Sequence, residues 1–190
     1  MVEKTLIDDG GVLVYDPEFL SVGEADVLFT ELLQAVAWKQ EGGRGRLFPR
    51  LTAWYADLGV RYSYSGVTHE PVPWLPALLE IKNRIEELAQ AKFNSLLLNL
   101  YRGGQDSIGM HADDEPELGT NPVIGSVSLG AVRQFVLRHK KTRERRTLDL
   151  SHGSLLLMSG TSQHHWLHGV PKTRSPVGQR INLTFRRILT

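Results

Sequence analysis

His111 and Asp113 stand two residues apart in the stretch D-S-I-G-M-H-A-D-D-E, residues 106–115. On an extended strand, side chains at that spacing point to the same face. An imidazole and a carboxylate so placed need one more histidine from a neighbouring strand. The three would form a two-histidine, one-carboxylate set with positions left open for chemistry at a non-haem iron. His164, His165 and His168 offer that third ligand, and the spacing does not choose among them. The remaining two would then support the site or pack in the core.

A second group of residues could hold a small anion beside such a metal. In the tail R-I-N-L-T-F-R, residues 180–186, alternation puts Arg180, Asn182, Thr184 and Arg186 on one face and Ile181, Leu183 and Phe185 on the other. A polar strand face ordinarily lies in water. Two arginines framing Asn and Thr, however, suit forked pairing with carboxylates. In S-L-L-L-N-L-Y-R, residues 95–102, Asn99 and Tyr101 share one face of a leucine-rich strand. Buried polar groups need partners, and a small dicarboxylate between the two strands would supply them. Together the two groups have the makings of an iron site with a keto-acid co-substrate.

The elements that must position these residues fall into two kinds. V-L-V-Y (12–15) reads as a short strand. Ser21 and Glu24 then form a capping box opening a helix that carries Val22, Ala25, Leu28, Phe29, Leu32 and Val36 on one face. Residues 41–50, E-G-G-R-G-R-L-F-P-R, read as a flexible basic loop. After P-V-P-W-L-P a second helix spaces Leu78, Ile81, Ile85 and Leu88 along one face. From about residue 93 short apolar or alternating runs at 95–101, 123–129, 133–138, 147–150, 154–158 and 180–187 are separated by Gly, Pro, Asp and Asn. Such a series predicts a β-sandwich or jelly roll. The expectation is a single domain over 1–190, mainly β within an α+β class: a helical N-terminal layer and lid over about 1–92, and a jelly-roll core over about 93–190.

Composition narrows the functional classes. The chain has 190 residues, 41% hydrophobic and 23% charged, ordinary for a globular protein. No run of 18 apolar residues marks a membrane span. Cysteine is absent, which excludes disulfides and thiolate-bound zinc. The first residues lack the apolar stretch of a secretory signal, so a cytoplasmic location is expected. Net charge is only +1, but R-H-K-K-T-R-E-R-R (138–146) gathers six cations against one acid, and Arg44, Arg46, Arg50 and Arg61 form a looser basic group. Either group could hold a phosphate backbone, or simply be a solvated tip.

The motifs N-x-Y (99–101), H-x-D-D-E (111–115), S-x-S-x-G (126–130), H-W-x-H (165–168) and R-x-N-x-T-F-R (180–186) resemble the AlkB family of iron(II)- and 2-oxoglutarate-dependent dioxygenases, above all its DNA-repair members. The resemblance covers roughly residues 47–190, in order and at compatible spacing. It implies a double-stranded β-helix core, Fe(II), 2-oxoglutarate and O2, and His111, Asp113 and His168 as iron ligands. It further implies that Arg180 and Arg186 pair with the two carboxylates of 2-oxoglutarate in a pocket lined by Asn99, Tyr101, Asn182 and Thr184. Glu115 falls where the family places an acid near the amino group of the damaged base. R-Y-S-Y-S-G (61–66) matches the family's lid, with Tyr64 as the base-stacking aromatic and Tyr62, Ser65 and Trp54 beside it.

The implied activity is oxidative demethylation of bases such as 1-methyladenine and 3-methylcytosine in single- or double-stranded DNA. Such a target must be flipped out or already unpaired. Phosphate contacts would come from Arg50, Arg138, Lys140, Lys141, Arg143 and Arg145 without reading sequence. Duplex-preferring members carry bulky apolar residues on a wedging hairpin, whereas E-G-G-R-G-R (41–46) is glycine-rich and cationic. A monomer with no membrane partner is expected. Two other readings share these residues: a related dioxygenase acting on RNA or protein, and a jelly-roll binding module that has lost catalysis.

Overall fold

The computed structural model describes residues 2–7, 10–43, 45–60, 62–64, 67–69 and 71–189, with backbone alone at 3–7, 62–64 and 67–69. The chain opens with a hairpin, β1 (Glu3–Ile7) and β2 (Gly11–Asp16), and continues into helix α1 (Val22–Ala35). The capping box forms as the sequence predicts: Ser21 Oγ accepts from the Glu24 amide, and the Glu24 carboxylate accepts from the Ser21 amide at 2.8 Å. A small hairpin, β3 (Gly42–Gly43) and β4 (Arg46–Leu47), stands where a flexible loop was expected. Strand β5 (Leu51–Ala56) is followed by a second hairpin, β6 (Tyr62–Tyr64) and β7 (Val67–His69), in the segment expected to be the lid, and then by helix α2 (Pro76–Ala89).

The C-terminal half is a run of strands: β8 (Ser95–Tyr101), β9 (Ile108–His111), β10 (Ile124–Gly130), β11 (Arg133–His139), β12 (Arg145–Leu150), β13 (Ser154–Gly160), β14 (Trp166–Val170) and β15 (Arg180–Arg186). A single helical turn, α3 (Ser162–His165), precedes β14. The strands form a seven-stranded sheet in the order β1-β2-β13-β10-β15-β8-β5 and a four-stranded sheet in the order β12-β11-β14-β9. Every pairing within these two sheets is antiparallel. The two-sheet jelly roll is therefore present. Its large sheet draws β1, β2 and β5 from the N-terminal half, so that half contributes strands to the core as well as helices. No helix among the described residues is long and apolar enough to cross a membrane.

The burial pattern explains why the strands do not alternate simply. One face of the large sheet, with Leu96, Leu98, Leu100, Leu129, Leu183 and Phe185, packs in one cluster with Leu28 and Leu32 of α1 and Leu78, Ile81 and Ile85 of α2. The opposite face, represented by Ile124, Leu156, Met158 and Tyr101, packs with Phe135, Leu137, Trp166 and Val170 of the small sheet. With both faces covered, all seven residues of β8 and all seven of β15 are buried. The polar side of R-I-N-L-T-F-R thus faces the space between the sheets and not water. Two positions of the expected helical faces differ. Val22 and Leu88, in the first and last turns of their helices, are 70% and 59% exposed.

Candidate metal and co-substrate site

The space between the sheets collects the polar residues of the motifs. His111 ends β9 and is the cross-strand partner of His168 on β14. Their rings lie 4.4 Å apart, inclined at 55°. Close approach of the two strands depends on Gly169, where a Cβ would meet the backbone oxygens of Gly109 and Ile108 at 2.9 Å. Asp113 lies beyond the last residue of β9, in the irregular segment that follows, and not on the strand itself. The three ligand-capable atoms of His111, Asp113 and His168 all fall within 4.8 Å of one another. His111 Nδ1 lies 2.9 Å from the Gly109 carbonyl oxygen. That oxygen can only accept, so Nδ1 donates and Nε2 is left with its lone pair for a metal.

The electrostatics suit the same purpose. Burial pushes the Asp113 carboxyl up, but the charges of Arg186, His168 and His111 outweigh it and hold the pKa at about 2. Burial, reinforced by His111 and opposed by Asp113, brings His168 down to about 3. An ionised carboxylate beside a neutral imidazole is the protonation state metal binding requires. Asp113 Oδ1 accepts from Arg186 Nη2 at 2.7 Å, while its buried Oδ2 has no hydrogen-bond partner and lies 3.8 Å from His168 Nε2. A divalent cation between those two atoms would satisfy the orphaned oxygen, so the residues fit a metal.

Register then places the second group beside the first. Arg180, Asn182 and Thr184 on β15 face Tyr101, Asn99 and Leu97 across β8, and Asn182 and Thr184 face Ser128 and Ser126 across β10. Asn99, Tyr101, Arg180, Asn182, Thr184 and Arg186 all line one small cavity with His111 and His168. Arg180 is fully buried, its guanidinium 5.1 Å from the centre of the Tyr101 ring. Its Nη2 donates to Ser128 Oγ at 2.8 Å and to Asn182 Oδ1, whereas Nε and Nη1 have no hydrogen-bond partner. Burial pushes its guanidinium pKa down, opposed mainly by Tyr101. A buried cation with unsatisfied donors is costly unless an acceptor reaches it. A carboxylate fits that need.

Glu115 lies just past the triad, half-buried, with Oε2 lacking a partner. Burial raises its carboxyl pKa, and Asp113 and Asp114 add to the rise. Trp54 is 7% exposed and packs with Leu97, Leu118 and Ile188 at the edge of the large sheet. Ser65 and the side chains of Tyr62 and Tyr64 lie outside the described residues.

The expected phosphate contacts separate into three kinds. Arg50 needs correction: it is only 3% exposed, and its Nε donates to Asn99 Oδ1 at 2.6 Å. It braces the cavity wall from inside, a use its place in a basic loop did not reveal. Lys140 is committed to Asp114 at 2.9 Å and to the Gln163 carbonyl at 3.0 Å. Lys141, Arg143 and Arg145 are exposed on and beside the β11–β12 turn, where Arg143 takes the left-handed conformation at φ 64°. Arg138 and Arg145 border an outer groove of about 340 Å³ with Ile108, Met110, Val136 and Lys172. Leu47, which follows the glycine-rich E-G-G-R-G-R segment and ends β4, is 68% exposed.

Sequence reasoning assigned no role to Ser126, Ser128, Phe135 or Gln163. The S-x-S alternation could have indicated the first two, since both serines share the face opposite β15. Phe135 stacks on His168 at 5.4 Å, and Gln163 accepts from the Asp113 amide at 2.9 Å across 50 residues of sequence. No local pattern marks either contact.

Comparison with known proteins agrees with this geometry. The family model described as the 2OG-Fe(II) oxygenase superfamily matches residues 12–186. The human alpha-ketoglutarate-dependent dioxygenase alkB homolog 3 is 46% identical over 186 residues, covering 90% of this chain and 64% of that protein. The mouse DNA oxidative demethylase ALKBH2 is 42% identical over 181 residues, covering 87% of this chain and 76% of that protein. The chain thus spans about two thirds of the length of the curated relatives it matches. In fold it is similar to OsALKBH1, with a TM-score of 0.71 at 16% identity over 97% of this chain and 100% of the other. A two-histidine, one-aspartate cluster beside an arginine-lined cavity in a two-sheet jelly roll, together with these matches, means that the chain belongs to the AlkB family of the 2OG-Fe(II) oxygenase superfamily.

Proposed function

We propose that the chain is an Fe(II)- and 2-oxoglutarate-dependent demethylase of N-alkylated bases, such as 1-methyladenine and 3-methylcytosine, in DNA. The observation that carries this reading is a pair of orphaned polar groups at one cavity: Asp113 Oδ2, clustered with the cavity-lining imidazoles of His111 and His168, and the unsatisfied donors of buried Arg180 in the cavity wall. His111, Asp113 and His168 would hold iron. Arg180, with Asn182, Thr184, Asn99 and Tyr101, would hold one carboxylate of the diacid, and Arg186 the other. When bound, the metal, 2-oxoglutarate and dioxygen supply the oxidising power, so that the methyl carbon leaves as formaldehyde and the diacid as succinate and carbon dioxide.

The protein's own work is orientation and exclusion of water. The cavity measures about 40 Å³ with its side chains in their mutual hydrogen bonds. A carboxylate reaching Arg180 would be met by Nε and Nη1, the donors that have no partner in the protein. Glu115, half-buried at the triad, is suited to a cationic or amino-bearing base edge. Lys141, Arg143 and Arg145 would contact phosphates without reading sequence. The name of mouse ALKBH2, DNA oxidative demethylase, supports DNA as the substrate.

The test is incubation with Fe(II), 2-oxoglutarate and oligonucleotides carrying single defined methyl lesions, in DNA and in RNA, followed by mass spectrometry. Loss of 14 mass units (roughly one CH2) from lesion-bearing DNA with stoichiometric succinate supports the reading. Succinate without change in any nucleic acid directs attention to protein substrates, and no succinate at all favours a binding module.

A further inference from the structure

We infer that Gln163, backed by Lys140, is a positioning residue for the aspartate arm of the metal triad; the inference rests on the metal-site reading above. Asp113 is 3% exposed and lies two residues past the end of β9, where no neighbouring strand is left to pair with its amide. A buried N–H without an acceptor costs about 1–3 kcal/mol. Gln163 Oε1 supplies the acceptor at 2.9 Å.

Gln163 is itself 1% exposed and sits on α3, directly before the strand that carries His168. Its Nε2 faces Ser162 Oγ at 3.5 Å and Met158 Sδ at 3.7 Å, which turns the amide oxygen toward Asp113. One side chain therefore links the segment of the aspartate to the segment of the distal histidine. Asp113 Oδ2 and His168 Nε2, 3.8 Å apart, belong to the two segments that this link joins.

Lys140 adds a second strut over the same gap. Its Nζ donates to the Gln163 carbonyl at 3.0 Å and pairs with Asp114 Oδ2 at 2.9 Å. Its backbone N–H donates to the His165 carbonyl at 2.7 Å. The turn between β11 and β12 is thus fastened to both α3 and the residue after the aspartate. A lysine bound at both ends in this way is a brace for the segment that carries Asp113 and leaves phosphate contact to its neighbours.

Partners of this kind commonly change metal affinity by about 10–100-fold. The test uses the metal-free chain titrated with Mn(II), with free Mn(II) followed by electron paramagnetic resonance, so that no turnover is required. Gln163→Leu is expected to weaken Mn(II) binding by about 10–100-fold. Gln163→Glu keeps an acceptor for the Asp113 amide and is expected to recover part of that loss. Lys140→Met, on a side chain one-third exposed, should show a smaller loss in the same direction without loss of fold. If the role is merely structural, the variants melt earlier but bind Mn(II) as the wild type does while folded, and that result overturns the inference. Should Gln163→Leu fail to fold, Lys140→Met decides: unchanged affinity there overturns it. A wild type that binds Mn(II) no better than Asp113→Ala would overturn the metal-site reading itself, and this inference with it.

Discussion

Arg186 and Asp113 meet at 2.7 Å although 73 residues separate them. The arginine closes the last strand of the large sheet, and the aspartate sits in the segment after the edge strand of the small one. Their ion pair therefore ties the residues proposed for the diacid to those proposed for the metal. Both side chains are buried, and removing one partner of a buried pair leaves the other charge uncompensated at a cost of about 3–5 kcal/mol. Arg186→Ala is expected to raise the 2-oxoglutarate concentration needed for half-maximal succinate formation by at least about tenfold, one hydrogen bond to a charged group being about 1.5–3 kcal/mol. Oligonucleotide affinity, measured by fluorescence anisotropy, should stay within about twofold, since Arg186 is buried away from the outer surface.

Gly169 keeps the two histidine strands in contact. Its Cβ in Gly169→Ala would meet two backbone oxygens at 2.9 Å, neither of which can rotate away. Overpacking of this sort costs about 1–3 kcal/mol. The expected outcome is a lower melting temperature for the metal-free chain and a smaller rise in melting temperature on adding Mn(II), read by differential scanning calorimetry.

The exposed cations of the β11–β12 turn give a salt-dependence prediction. Neutralising Lys141, Arg143 and Arg145 should weaken binding to a single-stranded oligonucleotide and flatten the slope of log affinity against log salt, by about 0.7 for each phosphate no longer neutralised. Lys140→Met should leave that slope unchanged, because its ammonium is already paired with Asp114. An unchanged slope in the triple variant would make the turn a solvated tip.

Glu86 supplies a pH prediction far from the site. Burial pushes its carboxyl up, but Lys82, Lys92 and the Phe93 amide, each at 2.8 Å, outweigh it and hold its pKa below 4.5. A pKa depressed in the folded state contributes stability above the unfolded value that is lost as pH falls through the folded one. Thermal melts between pH 7 and pH 3 should therefore decline more steeply for the wild type than for Glu86→Gln. The variant should melt lower at pH 7, by a difference of about 1–3 kcal/mol.

Much of this architecture could be read from residue order. The capping box at Ser21 and Glu24, the spacing of Leu78, Ile81 and Ile85, and the six strand runs after residue 93 depend on local periodicity, and each forms where expected. The alternation of Arg180, Asn182, Thr184 and Arg186 indicated a shared face. Whether that face met water or a cavity depended on the small sheet folding over it, which no local pattern records. Arg50 misled for the same reason: a basic loop is ordinarily solvated, yet this arginine turns inward onto Asn99. Gln163, and the contact of Lys140 with Asp114 in place of a phosphate, were illegible because the partners lie 50 and 26 positions away in sequence.

If His111, Asp113 and His168 hold ferrous iron beside a bound 2-oxoglutarate, the visible spectrum should report it without any turnover. The metal-free chain is titrated anaerobically with Fe(II) and 2-oxoglutarate, separately and together. A weak charge-transfer band that needs both additions is expected in the wild type and not in Asp113→Ala. No band in the wild type, or an undiminished band in Asp113→Ala, would overturn the assignment of these three residues to iron.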